Sequence, residues 1–267
     1  MKYLVYTCVF GGYDLIFPPA VVEAEIDYII ITDDPQLQVR GWRSKTVSTT
    51  EFANPQLANR YYKMLGHREF PGYDCSLYVD GNIRLLGKTS KLLRAFCSSG
   101  AVLGLFQHPH RKNIREESLA CVTQGKIVRE NNLHRELEYY AKDGFSDQGE
   151  LVEAGVLLKN HLDPKLDEAM SLWWELYSRF ATRDQISLPY VLWKTGAQVL
   201  YQGYSFRDAN PWFGLYAHLG GKDIPRHYAW IQGRAYDSFF HRLLLDAWHL
   251  SWRIRRRFRG IKNTGED

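Results

Sequence analysis

The sequence predicts an α/β protein: a mostly parallel β-sheet with helices on both faces, followed by a basic amphipathic helix. Three observations predict it. Short apolar, β-branched runs recur along the chain. Segments of helical spacing separate them, as crossovers between parallel strands require. After residue 234 the pattern changes to an aromatic, arginine-rich helix. A length of 267 residues suits one α/β domain with an appendage. We therefore divide the chain into a domain over 1–234 and a C-terminal helix and tail over 235–267. Hydrophobic residues at 45% and charged residues at 24% exclude disorder, collagen-like repeats and coiled coil as the main architecture.

The first apolar run, 3–10, stops at Gly11-Gly12. It is too short for a signal-peptide core with a cleavage site and reads as a strand. Runs at 26–32, 76–79, 101–106, 154–158 and 198–201 read as further buried strands. Asn54-Pro55 is a cap followed by proline, so a helix starts there and runs to about residue 68. A second helix covers 88–97. Helical spacing over 116–142, in two pieces, stops at Gly144. Asp163-Pro164 opens a helix that runs through Phe180, and one over 184–194 closes at Gly196. Residues 202–234, rich in Gly, Pro and aromatics, read as ordered loops, and 235–258 as helix.

Cys8, Cys75, Cys97 and Cys121 lack metal-ligand or redox-motif spacing. Cys8, Cys75 and Cys97 sit in or beside apolar runs and read as buried reduced thiols. No run approaches the roughly 18 apolar residues of a membrane span, so a reducing cytoplasm is the expected compartment. The net charge of +4 is uneven. Residues 226–267 hold nine Lys/Arg and four Asp/Glu, net +5, which leaves −1 for 1–225.

Ligands in open α/β sheets bind at the carboxyl ends of strands, so the strand ends are where chemistry is expected. The first ends in Phe10-Gly11-Gly12-Tyr13-Asp14, which is either a phosphate-cradling turn of free N–H groups or a plain tight turn. The second ends in Thr32-Asp33-Asp34, where a carboxylate either holds a ribose hydroxyl or caps a turn before Pro35. The sharpest feature is Ser76 to Asn82, an apolar run leading straight into Asp80-Gly81-Asn82. Asp80 at a strand end suits a hard cation or a sugar, with Asn82 as a weaker, neutral second oxygen ligand; Mn²⁺ or Mg²⁺ would neutralise a diphosphate there. An ordinary Asp-Gly turn is the other reading.

Arg60, Lys63 and His67 fall on one face of the first helix and form a cationic stripe suited to a diphosphate. His108, with Arg111 nearby, ends another strand as a metal ligand, an acceptor contact or a loop histidine. Asp184 is either a first-turn acid of its helix or a carboxylate facing a reacting carbon.

These pieces occur in an order that resembles a known family. The matching residues are Thr7 to Asp14, Thr32-Asp33, Lys63-Met64-Leu65-Gly66-His67-Arg68-Glu69-Phe70-Pro71 and Tyr78-Val79-Asp80-Gly81-Asn82. His108-Pro109 with Arg111, Glu116-Glu117, Glu153 to His161, Trp173-Trp174 and Arg183 to Tyr190 continue the match. The set, over about residues 3–195, resembles the glycosyltransferase-like domain family of plant Golgi mucilage and pectin proteins and bacterial polysaccharide gene clusters. It is more distantly similar to the glycogenin-type transferases.

The resemblance implies a GT-A-like, Rossmann-type mixed sheet flanked by helices. It also implies a nucleotide-sugar donor, a UDP-sugar foremost, and a glycan or lipid-linked acceptor. On it, Thr7, Gly11, Gly12, Asp14 and Asp33 line the nucleotide pocket. Arg60, Lys63 and His67 approach the diphosphate, and Asp80 binds the donor sugar or, with Asn82, a metal. Glu153, Asp184 and Gln185 face the reacting sugar, and His108, Arg111 and Trp174 meet the acceptor. His218-Leu219-Gly220-Gly221-Lys222 is an imperfect echo of the glycogenin His-x-x-Gly-x-x-Lys.

In the tail, Tyr236, Phe240, Leu243, Ala247, Ile254 and Phe258 keep helical spacing, and Arg253, Arg255, Arg256, Arg257 and Arg259 crowd the end. Such a helix suits an anionic membrane interface better than nucleic acid, because the body is net −1 and has no reader motif. The expected protein is a bacterial-type glycosyltransferase, cytoplasmic and peripheral on the inner membrane face, in surface polysaccharide or lipid-linked glycan assembly. Rival readings are a metal-assisted hydrolase using Asp80 and His108, a non-catalytic glycan- or membrane-binding module, and a nucleotidyltransferase.

Overall fold

A strand with neighbours on both edges and helices on both faces has no side left for polar residues, and β1 (Tyr3–Val9) is buried at every position. The computed structural model describes residues 1–123, 130–147, 151–216, 218 and 226–262, with side chains described for these except 226, 229 and 252–262. β1 pairs in parallel with β2 (Ile26–Thr32) on one edge and with β4 (Cys75–Val79) on the other. β2 pairs in parallel with β3 (Arg43–Thr46), and β6 (Leu103–Gln107) with β8 (Val199–Gln202). Between β4 and β6 lies β7 (Val152–Asn160), antiparallel to both. The sheet order is β3-β2-β1-β4-β7-β6-β8. A two-stranded ladder joins β5 (Ile83–Leu85) to β9 (Phe213–Leu215).

Alternation along β1 divides the core into two layers. Leu4, Tyr6 and Cys8 face α1 (Pro55–Leu65), α5 (Pro164–Phe180) and α6 (Asp184–Thr195), packing with Met64, Trp173 and Leu188. Tyr3 and Val5 face the other way, with Leu93 and Phe96 of α2 (Ser90–Ser98) and with Phe206 and Phe213. The predicted caps form: Asn54 accepts from the Leu57 amide at 2.9 Å, and Asp163 from that of Lys165 at 2.9 Å. Gly196 closes α6 in the left-handed region, φ 60°. The remaining helices are α3 (Ile114–Thr123), α4 (Glu130–Lys142), α7 (Arg226–Arg234) and α8 (Phe239–Lys262). Among the described residues no helix is long and apolar enough to cross a membrane.

The expected α/β class, a mixed sheet flanked by helices, is the class observed. Several details differ. β3, β5 and β9 were not expected, because a strand of four polar residues and two strands of three residues are too short or too polar to show an apolar run. Residues 226–234 form α7 rather than loop. α1 stops at Leu65 and tightens into a 3-10 turn over Gly66–Glu69. Cys75 and Cys97 are bonded to each other, which corrects the reduced-thiol expectation for this pair. They stand 22 residues apart in sequence, but α2 packs back over β4 and brings their Cα atoms to 6.5 Å, within bridging range. Cys8 and Cys121 are buried and take no part in this bond, and the Cys121 thiol donates to Glu117 Oε1 at 3.1 Å.

Candidate active site

The carboxyl ends of β1 and β4, the N-terminal part of β7 and the first turn of α6 enclose a cavity of about 530 Å³, within the usual size of small-molecule sites. Lys63, in the last turn of α1, is buried at its floor. Its Nζ donates to Asp184 Oδ2 at 2.7 Å and to Asp80 Oδ1 at 3.2 Å. One ammonium thus joins the end of β4 to the start of α6. Arg60, one turn earlier, stands 3.4 Å from the same Asp184 oxygen. Burial opposes ionisation of Asp184, but Arg60, Lys63 and Arg183 outweigh it and hold the carboxyl well below the usual carboxylate range. The Trp173 indole donates to the Asp184 carbonyl at 2.8 Å and fixes the helix start.

Asp80 is held from three sides. Its Oδ1 also accepts from Tyr78 Oη at 2.8 Å, and its amide donates to the Gly155 carbonyl at 2.8 Å. A Cβ on Gly155 would lie 3.2 Å from Asp80 Oδ2 and 2.7 Å from Phe206, so only glycine lets β7 pass this close. A register shift between Leu105 and Phe106 leaves Ala154, Gly155 and Val156 out of regular pairing with β6, directly after Glu153, which pairs with Phe106. Bulges of this kind re-aim side chains beside active sites, and Glu153, Ala154 and Gly155 all line the cavity. Glu153 accepts from Ser205 Oγ and Arg207 Nε. Burial pushes its carboxyl above the usual range against these contacts.

Of the sequence candidates, Asp14, Arg60, Lys63, Asp80, Asn82, Glu153, Asp184 and Gln185 line one cavity. Gln185 is anchored through Nε2 to the Val152 carbonyl at 2.8 Å. Asp14 meets His218 Nδ1 at 2.8 Å, and residues 219–222 of the glycogenin-like echo lie outside the described residues. Gly11 and Gly12 form the expected left-handed turn, φ 59° and 62°. The Gly11 amide donates to both oxygens of Asp33 at 3.1 Å, so these two residues brace each other, and they and Gly12 lie outside the cavity lining.

Other candidates lie elsewhere. Thr7 is buried in the sheet. His67 leaves the Lys63 face because the helix tightens there. It contacts Asp167 Oδ1 at 3.2 Å, and burial, with Lys159 nearby, pushes it down to about 4. His108 Nδ1 accepts from the Arg111 amide at 2.9 Å, and Arg111 pairs with buried Glu117, so both are used within their own loop. Trp174 packs edge-on against Tyr61 and Phe52.

Two further arginines and a lysine complete the site's chemistry. Arg183 and Arg207 line the cavity and were missed as ligand contacts; Arg183 has a buried Nε without a hydrogen-bond partner, a group that calls for a ligand or water. Its place just before Asp184 was the available signal. Lys159 was missed too, although a lysine inside the apolar strand run 155–160 was a visible anomaly. It is fully buried, and its three N–H groups go to the Lys63 carbonyl at 2.6 Å, the Met64 carbonyl at 2.9 Å and Tyr6 Oη at 2.9 Å. Burial pushes its ammonium down to about 7. Lys159 therefore clamps the end of α1 from which Lys63 projects. Lys159→Met leaves these acceptors short of a donor and is expected to cost about 2–3 kcal/mol in denaturant unfolding. Full stability in that variant would show that the clamp holds nothing.

Among the described residues no three His, Cys, Asp or Glu side chains are grouped to hold an ion. Asp80 has one oxygen outside the Lys63–Tyr78 contacts, and Asn82 spends its Nδ2 on the Tyr216 carbonyl at 2.9 Å, leaving its amide oxygen. One carboxylate and one amide do not make a resident site. They fit a Mg²⁺-like ion whose other ligands are substrate phosphates and water.

A cavity at the carboxyl ends of the strands, floored by paired Lys and Asp, is the arrangement of an α/β site for an anionic ligand. Residues 1–211 match the family model described as TOD1/MUCI70, glycosyltransferase-like domain, and the chain belongs to that family. It is 25% identical over 184 residues to the probable hexosyltransferase MUCI70 of Arabidopsis thaliana, a match covering 66% of this chain and 31% of that protein. The chain thus spans about a third of that relative's length. Among solved structures it is similar to mouse xyloside xylosyltransferase 1 in its apo form, at 11% identity and a TM-score of 0.44 over 76% of this chain and 85% of that one. It is also similar to the glycosyltransferase GlyE of Streptococcus pneumoniae TIGR4, at 13% identity and a TM-score of 0.42 over 75% and 45%.

Proposed function

We propose that the chain transfers a hexose-type sugar from a nucleotide-sugar donor, a UDP-sugar foremost, to a glycan or lipid-linked acceptor. The observation that carries this reading is Lys63 bridging Asp80 and Asp184 beneath a cavity that Arg60, Arg183 and Arg207 also line. The described lining carries four basic residues (Arg60, Lys63, Arg183, Arg207) and four acidic ones (Asp14, Asp80, Glu153, Asp184). In a site so balanced, a diphosphate is accommodated best when a divalent cation arrives with it. Asp80 and Asn82 would hold that ion, and it would neutralise charge on the departing diphosphate.

The chain's own residues divide the remaining work. Arg60 and Arg183 meet the diphosphate. Asp184, held ionised, faces the sugar and stabilises positive charge at the anomeric carbon. Glu153 is the better base, because its raised pKa brings it closer to working pH than the depressed Asp184. It takes the acceptor proton as the acceptor oxygen bonds to the anomeric carbon and the diphosphate leaves. The proposed setting is surface polysaccharide or lipid-linked glycan assembly, cytoplasmic and at the inner membrane face. A bonded Cys75–Cys97 pair is uncommon in a reducing compartment, so this placement rests on the charge of the tail and not on the cysteines.

A thermal-shift panel of nucleoside diphosphates and sugar nucleotides, with and without Mn²⁺, tests the reading. At a hundredfold excess over Kd, binding adds about 2.7 kcal/mol, several degrees in Tm. We expect a shift with at least one nucleotide, larger with Mn²⁺, and none with Mn²⁺ alone. Silence across the whole panel would refute the nucleotide-sugar reading.

A further inference from the structure

α8 has two distinct faces. One packs on α7: Trp248 meets the rings of His227 at 5.0 Å and Tyr228 at 5.6 Å, and His249 Nε2 hydrogen-bonds Tyr228 Oη at 2.8 Å. His241 meets Trp230 at 5.4 Å. The other face carries Phe239, Phe240, Leu243, Leu244 and Leu250, exposed at 74%, 65%, 49%, 39% and 58%. At 3.6 residues per turn these five fall within an arc of about 140°, on the side away from His241, Trp248 and His249. Five large apolar side chains in one exposed stripe mark a binding surface, unlike singly scattered ones.

The α7–α8 pair is also fixed to the body. Arg84 is buried and donates through Nη1 to the Gly233 carbonyl at 2.8 Å. Its Nη2 pairs with Asp237, and its guanidinium lies over Phe17 at 5.6 Å. The outer stripe of α8 is thereby presented at a set position on the molecule.

The sequence says what covers it. The stripe runs directly into Arg253, Arg255, Arg256, Arg257 and Arg259, whose side chains lie outside the described residues, and residues 226–267 are net +5 against −1 for the rest. An apolar stripe continuous with clustered cations matches an acyl boundary beneath anionic headgroups. A second copy would set the same cationic segment against itself, and a nucleic acid has no use for the stripe. We infer that the outer face of α8 lies in the interface of an anionic membrane, with the helix parallel to the surface. The inference deepens the transferase reading, on which it rests for its purpose, since a lipid-linked acceptor resides at that surface.

The test is co-sedimentation of the full chain with vesicles of phosphatidylcholine alone, or mixed with phosphatidylglycerol, at low and high salt. We expect binding to the mixed vesicles at low salt, weaker by at least about tenfold on neutral vesicles or in high salt. Phe240→Asp with Leu244→Asp, exposed positions whose change spares the fold, should lower binding by about tenfold or more. Arg255, Arg256 and Arg257 changed together to Ser should lower it about a hundredfold. Each variant's Tm is checked alongside. Equal binding to neutral and anionic vesicles, no binding to either, unchanged binding in both variants, or a dimer in sedimentation that Phe240→Asp dissolves would each overturn the membrane surface. Nucleoside diphosphate binding, measured on the same protein, separates the two ideas: its loss sinks the transferase reading whatever the vesicles do.

Discussion

Lys63→Met is expected to have the largest effect of any single substitution, weakening donor binding at least a hundredfold and lowering stability by about 3 kcal/mol. The ammonium is buried between two carboxylates, and removing one partner of a buried charge cluster typically costs about 3–5 kcal/mol. The lower figure applies because Arg60 stays 3.4 Å from Asp184 and Tyr78 stays on Asp80. For a chain of this size that is a fall of roughly 6–12 °C in Tm. The acid limb of stability should move as well. Because the Asp184 pKa is depressed in the folded state, its stabilisation is fully present above the unfolded value of about 3.9 and is lost as pH falls through the folded value. Without Lys63 the folded value rises, so acid unfolding begins at higher pH. A wild-type acid unfolding curve in the variant would contradict the cluster's energetics.

Glu153→Gln is expected to lower turnover by about 10²- to 10⁴-fold while leaving donor binding close to wild type. The base must be ionised to accept a proton, and burial raises its pKa. Wild-type turnover should therefore fall as pH drops through a value above the ordinary glutamate range, and this limb should vanish in the variant. Gln still accepts from Ser205 Oγ, so a merely structural Glu153 would cost Tm and leave the limb in place. A limb that persists in Glu153→Gln would reassign the base.

How far the site was legible follows from what each residue depends on. Asp80, Asp184 and Lys63 could be named together because each stands at the end of an element with a plain signal: an apolar run into Asp-Gly, an acidic helix start, a capped helix. β1, β2 and β4 were readable because burial on both faces leaves largely apolar runs, with Asp27 of β2 exposed. The polar β3 segment, Arg43–Thr46, has no such run, and the direction of β7 is set by its neighbours rather than its composition. His67 was grouped with Lys63 by counting four residues along an α-helix. The count failed when the turn tightened at Gly66, sending the ring to Asp167. Arg207 reaches Glu153 only because the 203–212 loop folds back over β7, a long-range contact that no local spacing records. The resemblance gave Trp174 to the acceptor, but its i+3 neighbour Tyr177 and the rings of Phe52 and Tyr61 claim it for packing.

We place a sugar nucleotide in the Lys63–Asp80–Asp184 cavity. Titration calorimetry of the panel's best sugar nucleotide, in the presence of Mn²⁺, tests it most directly when run on wild type, Lys63→Met and a surface control such as Lys142→Met. One site per chain is expected, unchanged in the control and at least a hundredfold weaker in Lys63→Met. Equal affinity in wild type and Lys63→Met, with both shown to be folded, would contradict it.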